Sequence, residues 1–224
     1  MEYTRIQSIN DPLFKQMHDM MSRIFPPEEV LAFDLWAEPL EDEGIRIFVA
    51  VKDGQVVGAT EYRYYEHLRV AMTDFTIIGE DGQGIGSFLA RKRQEDLQEL
   101  VKLLGKELIG MFAEIYNPYL VDDYSFGGVK SMNPYVRREV LSHMGYRRLN
   151  VEYVHPSWNN DGEAVQGLDL CFLPYNRQFE RFIPSQMVVK FLTGYYAVLP
   201  NKPQSWHEMI NKIEQQDQIE LLPI

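Results

Sequence analysis

The stretch Met72-Thr-Asp-Phe-Thr-Ile-Ile-Gly-Glu-Asp-Gly-Gln-Gly-Ile-Gly-Ser-Phe-Leu-Ala-Arg-Lys-Arg93 places Gly82, Gly84 and Gly86 in alternation with Gln83 and Ile85. A plain turn does not need three glycines so close together. Without side chains, the backbone can pass near a ligand and aim several N–H groups in one direction. Before the turn, Phe75, Thr76, Ile77 and Ile78 have the β-branched or aromatic character of a strand. A helix is expected to begin near Ser87, which puts its N-terminal partial positive charge at the turn. Phosphate or pyrophosphate is the ligand such an arrangement suits. The Walker pattern requires Gly-Lys-Ser/Thr and meets Gly86-Ser87-Phe88 instead. The dinucleotide fingerprint requires a glycine where Ser87 stands. A tight strand–helix connection without a ligand is the other reading.

A third phosphate-binding pattern fits better. Asp81-Gly-Gln-Gly84-Ile-Gly86 resembles the acyl-CoA pyrophosphate loop of the GNAT N-acetyltransferases, Arg/Gln-x-x-Gly-x-Gly/Ala, with Asp81 where the family has Arg or Gln. Glu139-Val-Leu-Ser-His-Met-Gly-Tyr-Arg-Arg148 resembles the family's second signature, a helix ending in Gly-Phe/Tyr. The resemblance covers residues 1–174 and implies the GNAT fold: α/β (α+β), a mixed, mostly antiparallel central sheet flanked by helices. It also implies acetyl-CoA as co-substrate, no metal, and transfer of acetyl to a primary amine by direct attack in a ternary complex. The cofactor-binding residues on this reading are Thr76, Ile77, Ile78, Gln83, Gly84, Ile85, Gly86 and Ser87.

Such a reaction sets physical requirements. An alkylammonium with a pKa of about 10 must lose a proton before it attacks, so a base is needed, directly or through water. Strand N–H groups beside the turn can stabilise the tetrahedral oxyanion. Glu114 is the expected base: it sits in the apolar run Met111-Phe-Ala-Glu-Ile-Tyr, where burial would raise its pKa. A glutamate paired with an arginine is the competing reading, and Asp74 and Glu61 are the alternative bases. For the departing thiolate, the family's tyrosine position is occupied by Leu141. Tyr135, Tyr116 and His143 remain as donors, as does solvent, because a thiol pKa of about 8.5 makes the thiolate a tolerable leaving group.

Other polar residues divide between roles. Arg91, Lys92 and Arg93 either attract CoA phosphates or form a solvated helix face. Arg137 and Arg138 either bind a substrate carboxylate or lie on the surface. Tyr62, Tyr64 and Tyr65 either line a cleft or pack a strand. The five histidines show no metal spacing. Cys171, the one cysteine, is expected to be a small core residue. No Gly-x-Ser-x-Gly element supports a serine hydrolase.

The elements around the turn follow from periodicity and punctuation. A short strand is expected in residues 1–10. Asp11-Pro12 starts a helix with Leu13, Phe14, Met17, Met20, Met21 and Ile24 on one face. Glu28-Glu29 starts a second helix through Leu31, Leu35 and Trp36, and Glu38 to Glu43 form a turn. Two strands, Ile45–Val51 and Val56–Tyr65, flank the hairpin signal Asp53-Gly54. After the glycine helix come a strand from Leu108 to Tyr116, a loop over 118–132 and a helix behind Asn133-Pro134. A strand over Tyr146–Val154, a polar turn from Ser157 to Glu163 and a strand over Val165–Leu173 complete the domain. Residues 175–224 form a C-terminal helical extension, with helices after Pro184 and from Ser205 to about Gln216; it packs on the domain or on a second subunit of a homodimer.

The chain of 224 residues suffices for a sizeable domain plus an appendage. No apolar run approaches the ~20 residues of a membrane span, and the N-terminus has no signal-peptide pattern. The single cysteine allows no internal disulfide, and a cytoplasmic location is expected. A net charge of −11 argues against nucleic acid and anionic membrane as partners and suits a cationic acceptor, a small-molecule or peptide amine. A catalytically silent acyl-CoA-binding sensor or scaffold is the alternative function, because Asp81 and Leu141 both depart from the family pattern.

Overall fold

The computed structural model describes residues 1–25, 30–79, 83–120, 133–158 and 160–224. These residues fall into two compact units, Met1–Leu108 and Ile109 to Ile224. In the first, strands β1 (Glu2–Ile6), β2 (Ile45–Lys52), β3 (Gln55–Tyr65) and β4 (Val70–Ile78) pair in that order, all antiparallel. Helix α1 (Pro12–Ile24) is capped by the Asp11 side chain, which accepts from the Leu13 N–H as the Asp-Pro signal requires. Its methionines Met17, Met20 and Met21 fill the core against Ile47, Val49, Ala59 and Ile77. The other face of this sheet packs Ala50 and Val57 against Ile85 and Leu89 of α3 (Ile85–Leu103).

Between α1 and β2 the structure departs from expectation. Glu28 and Glu29 lie outside the described residues. A 3₁₀ turn covers Phe33–Trp36, and a short helix α2 (Ala37–Glu41) occupies part of the expected turn from Glu38 to Glu43. Trp36 is buried and its indole N–H donates to the Leu31 carbonyl at 3.1 Å, winding the chain down locally.

The second unit holds β5 (Gly110–Tyr116), α4 (Pro134–His143), β6 (Arg147–Leu149), β7 (His155–Pro156), β8 (Ala164–Val165), β9 (Leu168–Pro174), β10 (Phe182–Pro184), α5 (Ser185–Tyr195), α6 (Gln204–Glu214) and β11 (Gln218–Pro223). Strand β9 lies between β5 and β6, β11 pairs with β6, and β10 pairs with β11, each antiparallel. Phe112 of β5 stacks on Phe191 of α5 with ring centroids 4.1 Å apart, beside Phe172 of β9. The strand expected over Tyr146–Val154 stops at Leu149: the Asn150 N–H turns to the Glu220 carbonyl at 2.9 Å, and the chain leaves the ladder. That exit brings Tyr153 and His155 to β5.

Residues 175–224, read from sequence as an appendage, lie in the same unit as β5. Both expected helices are present, and β11 is an additional strand. The loop residues Asp122, Asp123, Gly127 and Gly128 lie outside the described residues, as does Asn159. Among the described residues no helix is long and apolar enough to cross a membrane.

Strand β11 contributes Ile219 and Leu221, both buried, between β6 and β10. Each such side chain stabilises by about 1.5–3 kcal/mol. Truncation before Gln218 is therefore expected to lower the stability of the second unit by about 3 kcal/mol or more. Urea unfolding followed through Trp158 and Trp206 measures it.

Candidate functional site

In the first unit the described part of the glycine turn, Gln83 and Gly84, leads directly into α3. Gly84 caps α3 in the left-handed region at φ 69°, which costs other residues about 1–2 kcal/mol. Among the described residues, a Cβ on Gly84 would meet nothing within 4 Å. No side chain among the described residues caps the helix, and its first turn carries no acidic residue. Its leading N–H groups therefore lack the usual internal partner. Lys52 donates to the Gln83 side-chain oxygen at 2.8 Å, adding a cation beside the turn.

All eight expected cofactor-binding residues lie on this one strand–turn–helix piece. Thr76, Ile77 and Ile78 end β4; Gln83 and Gly84 form the turn; Ile85, Gly86 and Ser87 open α3. Ile77 and Ile85 are buried, so only their backbone can serve a ligand. Gly86 lets the helix approach β4, since a Cβ would stand 2.9 Å from Ile78 Cδ1. Asp81 and Gly82 lie outside the described residues.

The alternative bases meet on the same sheet. Glu61 of β3 pairs with Phe75 and Tyr62 with Thr73, which leaves Asp74 as the extra residue of a β-bulge. The side chains of Glu61 and Asp74 are hydrogen-bonded to each other, with Glu61 buried and Asp74 exposed. Burial first, then the Asp74 carboxylate, holds the Glu61 carboxyl protonated well above the ordinary carboxylate range, against a smaller pull from Arg63. Two such carboxyls share one proton and titrate as a pair.

Glu114 lies in the second unit, in a different environment from the one its sequence context suggests. Its Oε1 accepts from the Tyr153 and Tyr196 hydroxyls, and its Oε2 lies 3.3 Å from His155 Nε2. The two phenol oxygens are 2.7 Å apart, so two protons serve three contacts. Burial alone would raise the Glu114 carboxyl, as expected from sequence. The His155 charge and the bonds from His155, Tyr153 and Tyr196 outweigh it and hold the carboxyl below its ordinary value. Burial in turn would lower His155, but Glu114 raises it above its ordinary value. The partner expected on the competing reading was an arginine; the observed one is a histidine with two tyrosines. A carboxylate accepting from three donors has little tendency to take another proton.

The remaining candidates separate clearly. Arg91 and Lys92 pair with Glu95 on the exposed side of α3, whereas Arg93 is buried. Arg138 is also buried, ion-paired to Asp169 at 2.6 Å, so it belongs neither to the surface nor to a substrate carboxylate. Tyr62 is buried and donates to Asp96. Tyr135 is exposed, and the His143 ring contacts the Glu139 carbonyl. Cys171 is buried, and burial pushes its thiol pKa up. Among the described residues no group of three His, Cys, Asp or Glu is placed to hold a metal.

The Glu114–His155 pair gives the second unit a pH signature. The lowered Glu114 value makes its contribution present above the unfolded value, near 4.5, and lost as pH falls through the folded value. The raised His155 value makes its contribution full below 6.5 and lost as pH rises through the folded value. This pair is therefore expected to stabilise the unit most between those two values. Glu114→Gln should cost about 3–5 kcal/mol in that window. It should also reverse the alkaline limb, because burial alone lowers His155 and makes stability rise with pH. Urea unfolding across pH checks both signs.

No protein-family model matches the chain, and no curated protein matches it by sequence. Solved structures do match. A Bacteroides thetaiotaomicron protein assigned to the GNAT family of acetyltransferases aligns over 90% of this chain and 98% of its own, at 12% identity and a TM-score of 0.57. A Staphylococcus epidermidis protein assigned as an acetyltransferase aligns over 79% and 98%, at 12% identity and a TM-score of 0.52. A tandem GNAT protein from the clavulanic acid biosynthesis pathway aligns over 67% of this chain and 45% of its own, at 18% identity and a TM-score of 0.51. At these identities the likeness is one of architecture: the chain has the fold of the GNAT N-acetyltransferases.

Proposed function

We propose that the chain is an acyl-CoA-dependent N-acetyltransferase that transfers acetyl from acetyl-CoA to a primary amine by direct attack in a ternary complex. The observation that carries this reading is the N-terminus of α3 behind Gly84, which among the described residues has no side-chain cap and no atom facing Gly84 within 4 Å, with Lys52 nearby. A pyrophosphate on those N–H groups would gain charge-assisted bonds without displacing any side-chain cap. Thr76, Ile77 and Ile78, at the end of β4, supply the strand that leads into the cradle.

The proton-accepting group in this reading is the Glu61–Asp74 pair rather than Glu114. The pair already carries a carboxyl held protonated above the ordinary range, and Asp74 is open to solvent. Glu114 is committed to His155 and two tyrosines and acts as an anchor of the second unit. An exposed carboxylate in a chain of net charge −11 also suits a cationic acceptor, a small-molecule or peptide amine. A reducing cytoplasm suits the buried lone thiol of Cys171. Leu141, at the family's tyrosine position, leaves solvent to protonate the departing thiolate.

Purified protein with acetyl-CoA and a library of primary amines should release free thiol with at least one amine. Glu61→Gln and Asp74→Asn should each lower kcat about a hundredfold or more, within the range of general-base catalysis. In the wild type kcat/KM should rise with pH through the upper value of the pair, above the ordinary 4.5. Binding of acetyl-CoA without thiol release from any amine would instead favour the silent sensor or scaffold.

A further inference from the structure

Helix α3 carries one cation that neither solvent nor the glycine turn takes up. Arg93 is 4% exposed, on the side of the helix that faces β3 and β4. Its Nη1 donates to Thr60 Oγ1 at 2.9 Å, Thr73 Oγ1 at 3.0 Å and Thr76 Oγ1 at 2.8 Å. Two N–H hydrogens thus serve three neutral oxygens. The buried Nε has no partner among the described residues, and none of their carboxylates forms an ion pair with this guanidinium.

The threonines pass the restraint on to the backbone. Thr73 donates to the Glu61 carbonyl and Thr60 to the Phe75 carbonyl, each at 3.1 Å. Those two carbonyls belong to the residues paired at the register break, next to the extra residue Asp74. Arg93 therefore grips the bulge through both strands and on both sides of Asp74. Burying a guanidinium among neutral hydroxyls with an idle Nε is costly, and an apolar side chain would fill the space more cheaply. A local rule broken at such a place points to a site whose geometry matters.

We propose that Arg93 is a positioning residue: by holding Thr60, Thr73 and Thr76 it fixes the β3–β4 bulge and sets Asp74 against Glu61 as the proton-accepting pair. The inference deepens the acetyltransferase reading and rests on it for the pair's catalytic role. Other charged groups have their own partners. Asp96, one turn further along α3, is held by Arg46 through two bonds of 2.6 Å and by the Tyr62 hydroxyl. Tyr3 of β1 bonds Tyr62, and Arg5 of the same strand lies near Arg46 and Asp96. Around the carboxyl pair stand Arg63, paired to Asp42, and Tyr65.

The test compares Arg93→Met and Arg93→Lys with the wild type, using three readouts. Unfolding by urea should show Arg93→Met as stable as the wild type or more so, because a buried charge with neutral partners is gone. Carbon-13 carboxyl titration, without any substrate, should show the upper value of the Glu61–Asp74 pair falling toward the ordinary range as Asp74 is released. In the thiol-release assay kcat should fall tenfold or more while KM for acetyl-CoA stays within twofold, and Arg93→Lys, with one three-hydrogen ammonium, should recover part of the loss. Thr73→Val keeps the arginine and removes one arm; it should move the titration the same way, less far, and it replaces Arg93→Met should that variant fail to fold. Carboxyl titrations that superimpose on the wild type would overturn the proposal. A wild type that releases no thiol with any amine would remove the acetyltransferase reading, while the titration would still decide whether Arg93 sets the pair.

Discussion

The first unit depends on how closely the start of α3 lies against β3 and β4. A Cβ on Gly58 would fall 2.5 Å from Ile85 Cγ2 and 2.9 Å from the Ile77 carbonyl, and one on Gly86 would fall 2.9 Å from Ile78 Cδ1. At Gly58 the backbone carbonyl in the way makes the missing side chain a condition of this contact; at Gly86 a side chain would require Ile78 to shift. That contact fixes where the leading N–H groups of α3 end, and so where an anion can be held. It also fixes the helix face that follows. Ile85, Leu89, Leu97 and Val101 are driven onto the sheet by burial, and Arg93, on the same stripe, is carried in with them. The proposed phosphate site and the Arg93 contacts at the bulge both follow from this packing.

Buried charge is handled differently in the two units. In the second, Glu114 is nearly sealed but has three donors, so its charge is welcome and its basicity is spent. In the first, burial and the Asp74 carboxylate raise Glu61 against a smaller pull from Arg63, so the two acids titrate together. A general base needs a value high enough to accept a proton and a path to the amine. Glu61 has the raised value, and Asp74 beside it is exposed; Glu114 has the partners of an anchor, tying β5 to the segment after β6 and, through Tyr196, to the chain just beyond α5.

Much of this was legible in the sequence wherever the determinant is local. The Asp11-Pro12 and Asn133-Pro134 caps, the Asp53-Gly54 hairpin and the glycine turn all form where their residue types dictate. The missed features depend on distant partners or on a pattern read too narrowly. Glu114 was expected to gain a proton from burial, but its neighbours come from 39 and 82 residues away and nothing beside it announces them. Strand β6 is shorter than its sequence suggests because Asn150 to Val154 have strand-like composition, while the Glu220 carbonyl that diverts the chain belongs to β11. Strand β11 itself had a signal, the alternation of buried Ile219 and Leu221 with more exposed neighbours. Arg93 also had one: it stands midway between Leu89 and Leu97 at four-residue spacing, on the core face of α3 and not with solvated Arg91 and Lys92.

The most direct measurement is a calorimetric titration of acetyl-CoA into the wild type and into Gly84→Trp, with a thermal unfolding curve for each. The indole would project into the open space at the turn, which the account assigns to the pyrophosphate. Saturable binding to the wild type and none to a folded Gly84→Trp is the expected result. Absence of binding to the wild type, or equal binding to both proteins, would contradict it.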